Sequence, residues 1–231
     1  MYDFTKTKVI AFDADDTLWV NETYFREAEN KFAKLLSKYE TENKINQELF
    51  RKEIANLPLY GYGIKGFILS MIECATELSN NTLQAKTINE ILTIGKTMLE
   101  KPVILLDGVT HVLESLQNNY KLIVATKGDL LDQENKLKKS GLLQYFHHIE
   151  VMSDKKESDY LKLLSHLDVR SEELLMIGNS LKSDILPLIG IGAQAIHIPF
   201  HTTWKYEQVS TTSAENAFIT CQKITDILTY L

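Results

Sequence analysis

The 231-residue chain holds only two cysteines, Cys74 and Cys221, far apart and in no metal-ligand spacing. Neither a disulfide framework nor a structural zinc site follows from them, and a reducing compartment is the default expectation. Four prolines and ten glycines are too few for collagen-like or low-complexity classes. No apolar run approaches the roughly 18 residues a membrane span needs, and the start Met1-Tyr2-Asp3-Phe4 carries an acid where a signal peptide wants positive charge. Basic residues are not in excess either: 25 Lys and Arg stand against 31 Asp and Glu, a net charge of −6, which argues against a nucleic-acid backbone or an anionic membrane as main partner. These absences predict a cytoplasmic protein, monomer or homodimer, whose partner is a small soluble molecule.

What is present is an ordinary globular composition, 44% hydrophobic and 24% charged. The length suits one domain carrying a large insertion, or one large domain plus one small one. Val9-Ile10-Ala11-Phe12 is short and apolar with β-branched residues, the pattern of a strand buried on both faces of a parallel sheet. From about Asn21 to Leu99 the spacing turns helical, as in Tyr24, Phe25, Ala28, Phe32, Leu35 and Leu36. After Lys101-Pro102 strands return at 121–126, 149–152, 174–178 and 195–198, separated by helices headed by Asp159 and Ser171. The order predicts an α/β fold, a doubly wound and mostly parallel sheet. Residues 1–20 and 100–231 form its core, and residues 21–99 form an inserted α-helical domain.

At the carboxyl end of the first strand stands Asp13-Ala14-Asp15-Asp16-Thr17, three carboxylates in four residues. Open α/β sheets bind ligands at this edge. Like charges gathered there are costly unless a cation or shared proton compensates, and hard oxygen ligands suit Mg²⁺. On its own, the run reads equally as an Asx-rich strand-to-helix turn.

Asp-x-Asp-x-Thr after a first strand resembles the haloacid dehalogenase-like hydrolase superfamily, in its phosphatase branch with a helical cap after that strand. The resemblance implies that Asp13 is a nucleophile forming an aspartyl-phosphate and that Asp15 is the acid that protonates the leaving group and then the base that activates water. The second motif places Thr126 at the end of the next core strand, with Thr17 and Lys127 toward the substrate. The third motif assigns a lysine to Lys155, taken over its neighbour Lys156 by aligning Ser-Asp-Lys before the next helix. The fourth is normally Gly-Asp followed by a second Asp. Here it reads Gly178-Asn179-Ser180-Leu181-Lys182-Ser183-Asp184, so Asn replaces the first acid. Asp13, Asp15, Asn179 and Asp184 are thereby the implied Mg²⁺ ligands, with either Asn179 or Asp184 as the direct ligand.

Within the helical block, Leu59 to Phe67 is broken by three glycines. Tyr60, Tyr62 and Lys65 there read either as substrate-selecting groups or as parts of a helix connection. His201 and Trp204, past the last clear strand, read as cleft-lining or structural. The expected activity is Mg²⁺-dependent hydrolysis of a small phosphorylated metabolite. A phosphomutase and a 2-haloacid dehalogenase using the same aspartate are alternatives, and a phospho-receiver module is disfavoured by the eighty-residue insertion.

Overall fold

Parallel strands need long crossovers, and the chain supplies them as helices that pack on both faces of one sheet. The computed structural model describes residues 3–209 and 217–231. Its six strands are β1 (Val9–Phe12), β2 (Lys121–Lys127), β3 (His148–Met152), β4 (Leu174–Gly178), β5 (Gln194–His197) and β6 (Ile219–Thr220), and every strand pairing is parallel. The order β3-β2-β1-β4-β5-β6 makes β1 central. Phe12 pairs with Val124 on one side and Ile177 on the other, so Asp13, Thr126 and Gly178 all emerge at the same carboxyl edge. The short β6 is a strand the sequence pattern does not announce.

Alternation along the strands divides the core. Ile10, Phe12, Leu122, Val124, Leu175 and Ile177 face α5 (Val109–Leu116). Val9, Ala11, Ile123, Ala125, Leu174 and Met176 face α7 (Glu157–Leu167), where Tyr160, Leu163 and Leu164 are buried. Burying each large side chain contributes roughly 1.5–3 kcal/mol, so these two layers fix the register of the sheet edge that carries the acids.

Contacts divide the chain into two units, Met1–Glu22 with Val103–Lys127 and Gln133–Leu231, and Thr23–Pro102 with Gly128–Asp132. The second unit is built from α1 (Glu22–Leu36), α2 (Glu42–Tyr60), α3 (Ile64–Leu78) and α4 (Ala85–Glu100) around Phe32, Leu49, Phe67, Met71 and Ile91. The 128–132 stretch joins this unit although it follows β2, and it runs into α6 (Leu130–Lys139).

Two expected helix starts differ. Asp159 does not head α7 but lies inside its first turn, where its carboxylate accepts from the Lys156 N–H at 3.3 Å. Ser171 opens only a single 3₁₀ turn, Ser171–Glu173, because β4 begins at Leu174. Cys74 and Cys221 are free and buried. Among the described residues no helix is long and apolar enough to cross a membrane.

Candidate active site

β1 delivers Asp13 to the sheet edge, and its N–H donates to the Ile177 carbonyl at 2.9 Å, continuing the ladder for one residue. The Asp13 carboxylate is buried. Lys155, which follows β3 and precedes α7, donates from Nζ to Asp13 Oδ1 at 2.5 Å and to Asp184 Oδ1 at 2.6 Å. Lys156 is exposed and pairs with Asp154 at 2.9 Å. The Lys155 side chain is 1% exposed, so burial opposes its charge, yet the two carboxylates outweigh that cost and hold its pKa well above the usual value. Burial pushes the Asp13 carboxyl up, to about 7, against the pull of Lys155, and Asp184 adds to the rise.

Asp184 approaches so closely that a Cβ on Gly178 would lie 2.4 Å from its carboxylate oxygen. Only glycine fits at that point of the fourth motif. A π-helical turn, Leu181–Ile185, carries Asp184, and its Oδ2 accepts from the Ser180 N–H at 2.9 Å. Thr17 Oγ1 donates to Asp13 Oδ2 at 3.2 Å and reaches Asn179 Oδ1 at 3.4 Å. His197, its pKa lowered by burial, donates from Nε2 to the Asn179 carbonyl at 3.0 Å and fixes that residue's backbone.

Among the described residues no three His, Cys, Asp or Glu side chains gather as a metal site. Asn179 stands where the resemblance implies an acid, and the Asp15 carboxylate accepts from Trp19, Lys136 and Gln133. The donor set nevertheless fits Mg²⁺. Asp13 and Asp184 converge on one lysine charge, a buried deficit that a hard cation would relieve, and the Asn179 oxygen, which lies against the same threonine as Asp13, adds a neutral ligand.

Asp16 takes no part in that cluster. It adopts a left-handed backbone with φ 63°, and its carboxylate accepts from the N–H groups of Asn21 and Glu22 at 2.8–3.1 Å, capping the start of α1. Burial raises its pKa to about 7, with the two backbone donors pulling the other way. A carboxyl whose folded pKa exceeds its unfolded value stabilises the fold at low pH and loses that contribution as pH rises from about 4 through about 7. Asp16→Asn keeps an acceptor and tolerates the left-handed backbone. It should therefore melt higher than the parent at pH 8, with the gap closing toward pH 5, as thermal denaturation at the two pH values would record.

Thr126 is buried at the end of β2 and its hydroxyl donates to the Lys127 carbonyl at 3.2 Å. The ammonium of Lys127, which the resemblance turns toward substrate, donates to Ser183 Oγ at 2.8 Å and Glu207 Oε1 at 2.7 Å. Glu207, absent from the sequence reading, also accepts from Ser180 Oγ at 2.6 Å and Ser183 Oγ at 2.5 Å. Burial opposes its charge, but Lys127 and the two hydroxyls hold its pKa below the ordinary value. Glu207 thus ties the second motif to the fourth. Its only sequence signal is an acid near the Trp204 stretch.

The remaining expected residues have other partners. Tyr60 ends α2 and donates to Glu73 at 2.8 Å, while Lys65 in α3 pairs with Asp129 at 2.9 and 3.0 Å. Tyr62 is half-buried in the α2–α3 connection. His201 is exposed against Phe200, and Trp204 packs on Tyr206.

The family profile described as hydrolase, haloacid dehalogenase-like hydrolase, matches residues 7–192. The chain belongs to this family of hydrolytic enzymes. A haloacid dehalogenase-like family hydrolase from Xanthomonas campestris is 36% identical, with a TM-score of 0.82 over 94% of this chain and 91% of that one. At the level of fold alone, similar structures include a protein from Haemophilus somnus described as a predicted phosphoglycolate phosphatase (16% identity, TM-score 0.66, 98% of both chains). A 2-haloacid dehalogenase from Pseudomonas syringae is also similar (18%, 0.64, 97% of this chain and 99% of that one). No curated protein matches the chain.

Proposed function

We propose that the protein is a Mg²⁺-dependent phosphatase that hydrolyses a small phosphorylated metabolite through an aspartyl-phosphate on Asp13, the helical unit selecting the substrate. The observation that carries this reading is the pair of carboxylates at the end of β1 with different surroundings: Asp13 on a buried lysine, Asp15 on its own set of three donors. Displacement of a halide from carbon needs no proton donor, whereas expulsion of an alkoxide from phosphorus does.

Asp13 attacks phosphorus through an oxygen oriented by Lys155 and Thr17. Asp15 passes a proton to the departing alkoxide and then takes one from the water that displaces phosphate from Asp13. The Thr126 hydroxyl and neighbouring backbone N–H groups hold phosphoryl oxygens. Lys155 stays between Asp13 and Asp184 throughout and keeps their charges compensated. Mg²⁺, held by Asp13, Asp184 and Asn179, would screen the nucleophile from the incoming phosphate.

A panel of phosphorylated metabolites and 2-haloacids, assayed with Mg²⁺ and with EDTA, tests this. Phosphate release that EDTA abolishes is the expected result; halide release would transfer the role of Asp13 to carbon. Asn179 favours that second reading, because it brings one charge fewer to the cation. Asn179→Asp is accordingly expected to lower the Mg²⁺ concentration for half-maximal rate severalfold, on the order of 1 kcal/mol of affinity, as a Mg²⁺ titration would show.

A further inference from the structure

Asp15 is aimed by a helix far from it in sequence. Its Oδ1 accepts from Trp19 Nε1 at 2.7 Å and from Lys136 Nζ at 3.0 Å, and its Oδ2 accepts from Gln133 Nε2 at 2.8 Å. Gln133 and Lys136 stand three residues apart on one face of α6, 118 and 121 residues from Asp15. Each is anchored by a second contact: Gln133 Nε2 donates to the Lys127 carbonyl at 3.0 Å, and Lys136 Nζ donates to Asn21 Oδ1 at 3.0 Å. Trp19 and Gln133 are buried.

A carboxylate offers about four lone-pair sites. Both sites on Oδ1 are taken and one on Oδ2 is taken, which leaves a single open position, on Oδ2. We propose that Gln133 and Lys136 are positioning residues that leave Oδ2 as the atom through which Asp15 gives and receives its proton. This rests on the phosphatase reading above. In the hydrolytic step, the water oxygen bonds to phosphorus, the bond from phosphorus to the Asp13 oxygen breaks, the electron pair returns to the Asp13 carboxylate, and the water proton passes to Oδ2 of Asp15. Losing either donor opens a second lone pair and lets the carboxylate rotate, so proton transfer slows while attack by Asp13 is spared.

Acetyl phosphate separates the two steps, since acetate leaves phosphorus without a proton. With this donor and Mg²⁺, Lys136→Met and Gln133→Leu should lower kcat about tenfold, a part of the hundredfold or more that a positioned acid-base group supplies. KM should fall with kcat, so that kcat/KM holds, and acid-quenched protein should carry phosphate on Asp13. Lys136→Arg should restore the parent pattern. A merely structural role would lower kcat/KM without phosphoenzyme, and that result, or an unchanged kcat in both variants, overturns the proposal. Asp15→Asn is the control for the underlying reading. If it accumulates phosphoenzyme while Lys136→Met and Gln133→Leu do not, the positioning role alone fails. If neither it nor the parent reacts with acetyl phosphate, the phosphatase reading fails and the proposal with it.

Discussion

Asp13→Asn is expected to lower turnover at least about a thousandfold while making the protein no less stable. The loss follows from chemistry: a carboxamide is a far poorer nucleophile than a carboxylate, and without the covalent step only direct attack by water remains. The stability follows from burial. The Asp13 carboxyl is buried and its pKa is pushed up to about 7, so at pH 8 the fold carries an unfavourable ionisation that the amide lacks. Its carbonyl oxygen still accepts from Lys155, which keeps Asp184 as its charge partner. Steady-state assay and thermal melting at pH 8 should therefore move apart, activity down and melting temperature level or up. A variant that lost both together would instead have lost its fold.

Lys155→Met is expected to lose both. It strands the carboxylates of Asp13 and Asp184, which lie 2.5 and 2.6 Å from the same ammonium, in a site with almost no access to water. Breaking a buried ion pair from one side costs roughly 3–5 kcal/mol, because the remaining charge is neither solvated nor paired. The cost is greatest above the raised pKa of Asp13, about 7, and is relieved as falling pH protonates that carboxyl, so the urea midpoint of the variant should lie closer to the parent's at pH 5 than at pH 8. Turnover should drop at least about a hundredfold, since only the Thr17 hydroxyl then orients the nucleophile and no ammonium balances its charge.

How much of this was legible depends on whether the signal was local. The β1 strand and its carboxylates sit within nine residues, and their spacing reflects one strand end. In sequence, only alignment separates Lys155 from Lys156. In the fold, the burial of one and the exposure of the other divide them between the Asp13–Asp184 pair and the surface. Asp16 is ambiguous in sequence because a capping aspartate and a catalytic one are the same residue, and only its backbone and its two N–H partners separate them.

Glu207, Gln133 and Lys136 could not be read at all. Each reaches its partner across 80 to 121 residues, and a helix face or an irregular segment carries no pattern naming what it will touch. Tyr60 and Lys65 stand among glycines, and a broken helical pattern marks a connection between helices as readily as a binding loop. Their polar ends meet Glu73 and Asp129 within the helical unit.

The proposed hydrolysis takes place at phosphorus and not at carbon. A single turnover in H₂¹⁸O, with enzyme in excess over a phosphate ester substrate, followed by mass analysis of both the phosphate and the peptide containing Asp13, tests it directly. Hydrolysis of an aspartyl-phosphate at phosphorus puts ¹⁸O into phosphate and leaves Asp13 unlabelled, which is the result expected here. Label appearing in the Asp13 carboxylate would mean that water attacks its carbonyl carbon, as in hydrolysis of a carbon ester, and would overturn attack at phosphorus.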